Sequence, residues 1–249
     1  METKTQALKD YAGQLRLGGI QDQAEELIRK ASEEKCSYLD FSLSLLETEI
    51  NQRSQRDLER RTKAAKLPFD HELNQYDYAF QGSIGKQQLS QLRECQWLEQ
   101  NFNVVLMGPS GAGKTLIAAG LCFDALKMGY KAYFRTMEQL NETLIMKDIT
   151  RSSLIEYNKL LKANLLVIDD IMMFALEKKQ AVQLFHFINH LHERASLIVT
   201  TNKSPQDWVK MLDDEVIATA LLDRILFHCE VVRLKGPSYR LENRKTIFN

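Results

Sequence analysis

The sequence predicts an α/β fold, a parallel sheet with crossover helices, preceded by a small helical module. Three observations lead there. Between Thr3 and Lys66 proline is absent and apolar residues recur at helical spacing. Beyond residue 86 the period changes, and five short apolar or β-branched runs alternate with helical stretches. These runs are Val104–Met107, Lys131–Phe134, Leu165–Ile168, Leu197–Thr200 and Val231–Leu234. The first of them feeds directly into a glycine-rich turn with a helix behind it, as in a βα unit.

Composition sets the outer bounds. The 249 residues, 44% hydrophobic and 27% charged, suit one α/β domain with an appendage. Thirty-three basic residues balance 33 acidic ones, which excludes a histone-like polycation but allows a local basic stripe. Cys36, Cys95, Cys122 and Cys229 form no CxxC pair, so neither a disulfide framework nor structural zinc is expected. A reducing, cytoplasmic compartment suits them. No apolar run reaches the length of a membrane span, and Met1–Asp10 is too polar for a signal peptide, so no membrane partner is expected.

The helical module reads as three helices. Leu8, Tyr11 and Leu15 mark the first, and Ala24, Leu27, Ile28 and Ala31 the second. Leu39, Leu43, Leu46 and Ile50 mark the third, with Asp40 placed to assist its cap. Each helix would bury its stripe against the others. The third runs on into Arg53, Arg56, Arg60, Arg61, Lys63 and Lys66, set against Asp57 and Glu59. Such a run is either a solvated face or a phosphate-contacting one, and the segment alone does not decide. Leu67-Pro68 stops the helix. The expected division is therefore a helical domain over 1–66 for DNA or partner contact, a packed linker over 67–86 and the α/β domain over 87–249. The linker carries Phe69, Tyr76, Tyr78 and Phe80; the last three would either wall an adenine or anchor the linker.

Gly108-Pro109-Ser110-Gly111-Ala112-Gly113-Lys114-Thr115 matches G-x-x-x-x-G-K-[ST] in full. The glycines let successive N–H groups turn inward around a β-phosphate. Lys114 would reach the β/γ-phosphates, the Thr115 hydroxyl would ligate Mg²⁺, and the helix that Thr115 opens would turn its positive end to the anion. The run Leu165–Ile168 ends in Asp169-Asp170, where P-loop NTPases keep their acids. Asp169 is assigned to the metal and Asp170 to the base or water-positioning role. Asn202, at the tip of the fourth run, would orient the same water as a γ-phosphate sensor does. The expected ligands are ATP and Mg²⁺.

The tail contains Ala220-Leu-Leu-Asp-Arg-Ile225 and then Gly236-Pro-Ser-Tyr-Arg240. With the phosphate loop, the acidic strand, and Ser196–Asn202 followed by Asp207-Trp208, it resembles the IstB-like/DnaC-like branch of AAA+ ATPases. The pattern is nearest the IstB-like helpers of insertion-sequence transposition and extends over most of the chain. Leu15-Arg-Leu-Gly-Gly and the arginine-rich third helix resemble that family's leading module. The resemblance implies a P-loop NTPase (AAA+) fold with a reduced or absent lid, since few residues follow Asn202. It also implies ATP hydrolysis by a homo-oligomer on duplex DNA, assisting a transposase in target selection. The alternative client is a replicative helicase, loaded as DnaC-type proteins do.

By the same resemblance Arg224 matches the arginine finger that completes a neighbouring subunit's nucleotide, and Arg240 matches a second sensor. Lys147 and Arg151 lie where the family carries an extra helix lining a DNA channel; two solvated cations explain them equally well. One departure stands out: the family commonly has a glycine two residues after the acidic pair, where this chain has Met172. Met172, Met173 and Phe174 form either a partner-facing patch or, more simply, packing under the sheet. His186, His190 and His192 lack an HExxH glutamate and read as packing histidines, and Trp97 and Trp208 as core anchors. A small-molecule P-loop kinase would need an acceptor pocket for which the sequence carries no signature.

Overall fold

The computed structural model describes residues 2–68, 71–76, 84–212, 214–236 and 238–242. The chain divides into Met1–Arg60 and Arg61–Asn249. The first unit holds α1 (Glu2–Gln14), α2 (Gly18–Glu34) and most of α3 (Tyr38–Ala65), whose last residues belong to the second. Ser37 caps α3: its hydroxyl accepts the Asp40 N–H at 3.2 Å and donates to the Asp40 carboxylate at 2.6 Å. The helix ends before Lys66, which takes a left-handed φ of 60°, as helix C-termini commonly require.

A buried carboxylate organises the first unit. Glu49 accepts the N–H groups of Gly19 at 2.7 Å and Ile20 at 3.3 Å, orphan donors in the first turn of α2. Its other oxygen takes Arg53 Nε at 2.6 Å. A Cβ on Gly19 would stand 3.0 Å from Glu49 Cα and Thr48 O, so glycine is what lets α2 lie on this face of α3. The expected burial of every apolar stripe is corrected here. Leu39, Leu43, Leu46 and Ile50 remain exposed, as do Tyr11 and Leu15. The reason is geometric: α2 contacts the Thr48–Glu49–Gln52–Arg56 side of α3, and the leucine stripe lies on another face. The arginines of this stretch are engaged within the unit, Arg53 with the Arg16 carbonyl, Arg56 with Asp22 and Arg60 with Asp57.

The second unit is built on five parallel strands, β1 (Asn103–Met107), β2 (Ala132–Thr136), β3 (Leu165–Asp169), β4 (Ser196–Thr201) and β5 (Cys229–Arg233). Their order in the sheet is β2-β3-β4-β1-β5. α4 (Lys86–Arg93) precedes the sheet, and α5 (Lys114–Lys127) connects β1 to β2. α6 (Met137–Met146) and α7 (Arg151–Leu160) lead to β3, α8 (Lys178–Leu191) to β4, and α9 (Pro205–Leu212) and α10 (Glu215–Leu226) to β5. Only the β1→β2 crossover runs toward the β2 edge. Right-handed connection therefore puts α5 on one face and the other crossover helices on the opposite one. Accordingly Leu140, Leu184, Phe187, Leu221 and Ile225 share a single core with Val105, Leu166, Ile168, Leu197 and Val199. The central strands β1, β3 and β4 are buried on both faces, as a covered parallel sheet demands. The chain leaves β1 and β4 toward opposite faces, which opens a crevice at their carboxyl ends. Past β5 the described residues add only α11 (Tyr239–Glu242).

Two buried polar side chains brace this unit. Asn103 donates Nδ2 to the Ile225 carbonyl at 2.9 Å and accepts the Leu197 N–H at 2.8 Å, joining β1, β4 and the end of α10. Arg135, 1% exposed, bonds Glu156 of α7 and the Ala65 carbonyl. Trp208 is buried, and Trp97 donates to the Leu92 carbonyl at 2.8 Å. Tyr76 is buried too; Phe69, Tyr78 and Phe80 lie outside the described residues. No helix among the described residues is long and apolar enough to cross a membrane.

The Glu49 contacts set a pH dependence. Burial raises its carboxyl, but Arg53 and the Gly19 and Ile20 N–H groups outweigh that and hold it below the ordinary value of 4.5. A depressed carboxyl stabilises fully above its unfolded value, and the stabilisation is lost as pH falls through and below about 4.5. Glu49→Gln is expected to lower the urea midpoint of the first unit at pH 7 and to lower it less at pH 3, read by amide exchange at Gly19 and Ile20. An equal drop at both values would remove the charge from the explanation.

Candidate active site

The loop Gly108–Thr115 sits where β1 meets the crevice. Close approach, not only turning, fixes its glycines. A Cβ on Gly108 would lie 2.4 Å from the Leu234 carbonyl oxygen. Gly111, at φ +81°, would drive one to 2.0 Å from the Ser238 hydroxyl. The segment after β5 therefore packs directly on the loop, and Tyr239 donates its N–H to the Gly111 carbonyl at 3.2 Å. Ala112 is buried, and Pro109 accepts its N–H at 3.3 Å, closing the turn that Ser110 and Gly111 span. α5 begins at Lys114, so its first N–H groups have no acceptor in the helix and are left for an anion. Lys114 is 5% exposed and folds back, its ammonium donating to the Gly108 and Pro109 carbonyls at 2.9 and 2.8 Å.

Thr115 opens toward β3. Its hydroxyl lies 3.1 Å from both carboxylate oxygens of Asp169. A hydroxyl and a carboxylate facing each other beside a phosphate loop are the hard oxygen donors that Mg²⁺ prefers. Burial pushes the Asp169 carboxyl above the ordinary range, reinforced by the neighbouring Asp170 and opposed by the Thr200 and Thr115 hydroxyls and by Lys114. A dication there would reverse that preference, so the donor set fits the ion. 

Thr200 of β4, absent from the sequence reading, holds the two acids in place. Its hydroxyl donates to Asp169 at 2.5 Å and accepts the Asp170 N–H at 2.8 Å. The only signal in the sequence is a hydroxyl directly behind the apolar run Leu197–Val199, where threonine also reads as a strand former. Asp170 itself takes a left-handed φ of 55°. It borders an open cleft of about 540 Å³ with Thr136, Met173 and Phe174. Met172 adopts φ 56°, the conformation that a glycine would take without strain. The methionine costs about 1 kcal/mol in backbone strain, while its buried side chain returns about 2 kcal/mol, so burial wins. The three-residue run thus splits: Met172 is 0% exposed, whereas Met173 is 67% exposed.

The other expected residues divide by position. Asn202 is exposed just beyond β4, one residue past Thr201. Arg224 lies at the other end of the sheet. Its carbonyl is 3.4 Å from Asn103 Nδ2, at the start of β1, and about 13 Å of strand separates that point from the phosphate loop. The backbone of Arg240 is in α11, and its side chain lies outside the described residues. Lys147 stands over the Tyr157 ring at 4.9 Å between α6 and α7, and Arg151, exposed, begins α7. His186 and His190 are exposed; His192 meets Phe227 edge-on at 5.3 Å.

Comparison with known proteins finds relatives by sequence and by fold. The family described as IstB-like ATP binding protein matches residues 10–247. An IS21-like insertion-sequence ATP-binding protein of Bacteroides fragilis is 41% identical over 97% of this chain and 92% of its own length. The IS21 ATP-binding protein of Pseudomonas aeruginosa is 33% identical over 96% of this chain and 90% of its own. Among solved structures, the DnaC helicase loader superposes with a TM-score of 0.53 at 19% identity, covering 67% of this chain and 98% of that one. That likeness is one of fold, a parallel sheet with helices.

Thr200→Val is expected to lower the unfolding free energy by about 1–3 kcal/mol, because it orphans the Asp170 N–H and a buried carboxylate oxygen. Thr200→Ser should recover most of the loss in urea denaturation. Equal stability of the valine and serine variants would show that the hydroxyl is not what holds the acids.

Proposed function

We propose a function from one premise: the chain belongs to the IstB-like ATP binding protein family. The protein binds ATP with Mg²⁺ in the Gly108–Thr115 loop, hydrolyses it, and assembles on duplex DNA to assist a transposase in target selection. The observation that carries the nucleotide reading is the Thr115 hydroxyl 3.1 Å from Asp169, beside a lysine already lodged in the loop. On binding, Lys114 would exchange its two carbonyl partners for phosphate oxygens, and the N–H groups of Gly111, Gly113 and the start of α5 would surround the β-phosphate. Thr115 and Asp169 would hold Mg²⁺, which would supply neutralisation of the phosphate charge. Asp170, fixed by Thr200, takes the water-positioning role, and Asn202, just past the end of the neighbouring strand, is the candidate γ-phosphate sensor.

Arg224 supports assembly. It lies at the start of β1 while its own phosphate loop lies past the end, so any triphosphate it meets belongs to another copy. A permanently charged, planar donor arriving from outside stabilises transition-state charge and ties turnover to oligomerisation. Arg240, in the segment packed on the loop, is the candidate second sensor. Lys147 and Arg151 flank the α6–α7 corner, and duplex DNA is the polyanion proposed for them. A transposase is the client proposed because the aligned relatives carry insertion-sequence names. The DnaC-type reading differs only in client, and pull-down of transposase against hexameric helicase separates the two.

Lys114→Ala is expected to abolish ATP binding in calorimetry. Arg224→Ala should keep the Kd within about threefold and lower kcat about a thousandfold, the usual worth of such a finger. Light scattering with ATP and duplex DNA should show assembly by the parent chain and none by Arg224→Ala. Equal loss of ATP affinity in both variants would sink the division of roles.

A further inference from the structure

Arg224 does not hang loose. Its Nε donates to Asn189 Oδ1 at 2.8 Å, and its guanidinium carbon stands 5.1 Å from the centre of the Phe185 ring. Asn189 and Phe185 are four residues apart on α8, hence on one face of that helix. Its Nη1 reaches the Ala220 carbonyl at 3.2 Å, one turn back on α10. These contacts fix one edge of the fork and one face of the plane. Among the described residues Nη2 has no hydrogen-bond partner, and the side chain keeps 28% of its surface exposed. A hollow of about 200 Å³ opens beside it, walled by Phe227, His228 and His192.

We infer that Asn189 and Phe185 are positioning residues for Arg224, setting its guanidinium in the plane and direction that a neighbouring copy's γ-phosphate requires. The inference rests on the proposed role of Arg224 in trans. Arginine has about 2 kcal/mol of rotamer freedom to lose on binding. A cradle built by the arginine's own chain removes much of that freedom before the subunits meet, and orientation of this kind is worth one to two orders of magnitude in rate. Asn189 suits the task better than an acid would. A neutral amide oxygen orients Nε without forming a charge pair that would compete with phosphate for the guanidinium. Phe185 offers a flat π face, which holds the plane but leaves the outer edge open. The Asp223 carboxylate, 3.4 Å from Nη1 and exposed, is too solvated to compete strongly.

The test is steady-state ATP turnover of the full chain with duplex DNA. Asn189→Ala is expected to lower kcat roughly ten- to a hundredfold with KM for ATP within about twofold. Phe185→Leu should do the same and Phe185→Tyr should restore turnover, because the ring face returns. In an Arg224→Ala background Asn189→Ala should cost nothing further, as expected for a residue acting only through the arginine. Mixing Asn189→Ala chains with Lys114→Ala chains should recover turnover, since the second chain presents an intact cradle to the first chain's nucleotide. Parent-like kcat in Asn189→Ala alongside slow Arg224→Ala would overturn the inference alone, as would an additive loss in the double variant. Parent-like kcat in Arg224→Ala, or its failure to be rescued by Lys114→Ala chains, would overturn the trans reading itself.

Discussion

A carboxylate set at the end of an otherwise apolar strand is the constraint around which the second unit is arranged. Asp169 is 5% exposed at the tip of β3, where an ionised group stripped of water and left without partners would cost several kcal/mol. Two elements answer that demand at once. β4 contributes the Thr200 hydroxyl, and the start of α5 contributes the Thr115 hydroxyl and the Lys114 ammonium. The two converge on β3 only if the strand order places β4 next to β3 and β1 next to β4. Topology and electrostatics thus specify one another. The sharp backbone at Asp170 and Met172 follows, because the chain must leave a strand end that is already clamped.

The first unit solves a smaller version of the same problem. Glu49 is buried against the start of α2, and the charge is acceptable because it meets two backbone donors and a guanidinium. This polar anchor, rather than leucine packing, decides which side of α3 faces α2. Much of the arginine-rich stretch is then used internally, which answers in part whether those charges are a free basic face.

Much of this architecture was legible in the residues. The strand runs stand out because covered parallel strands are apolar on both faces, and the phosphate loop because its chemistry needs glycines at fixed spacing. Less legible were features that depend on which faces meet. The leucines of α3 follow an ideal helical period, yet period says only that a face is apolar and not that anything covers it. Thr200 was hidden for the opposite reason: inside a β-branched run, threonine is as good a strand former as valine, and its hydroxyl acquires meaning only when the neighbouring strand is known. Asn189 is invisible in the same way, as one polar residue among several on the exposed side of its helix. Asn202 follows from order along the chain and Arg240 from resemblance, and either gives an element but not a side-chain direction.

The contact of Leu234 and Ser238 with Gly108 and Gly111 has a consequence for how the protein reaches its native state. The phosphate loop's neighbours along the chain are β1 and α5, but its outer wall is supplied from more than a hundred residues downstream. Contacts of such long sequence separation form late, because loop-closure entropy must be overcome before they contribute. An emerging chain that has made β1 and α5 would hold the motif without its final shape. Competence for anions would then arrive with the docking of β5, among the last steps of folding.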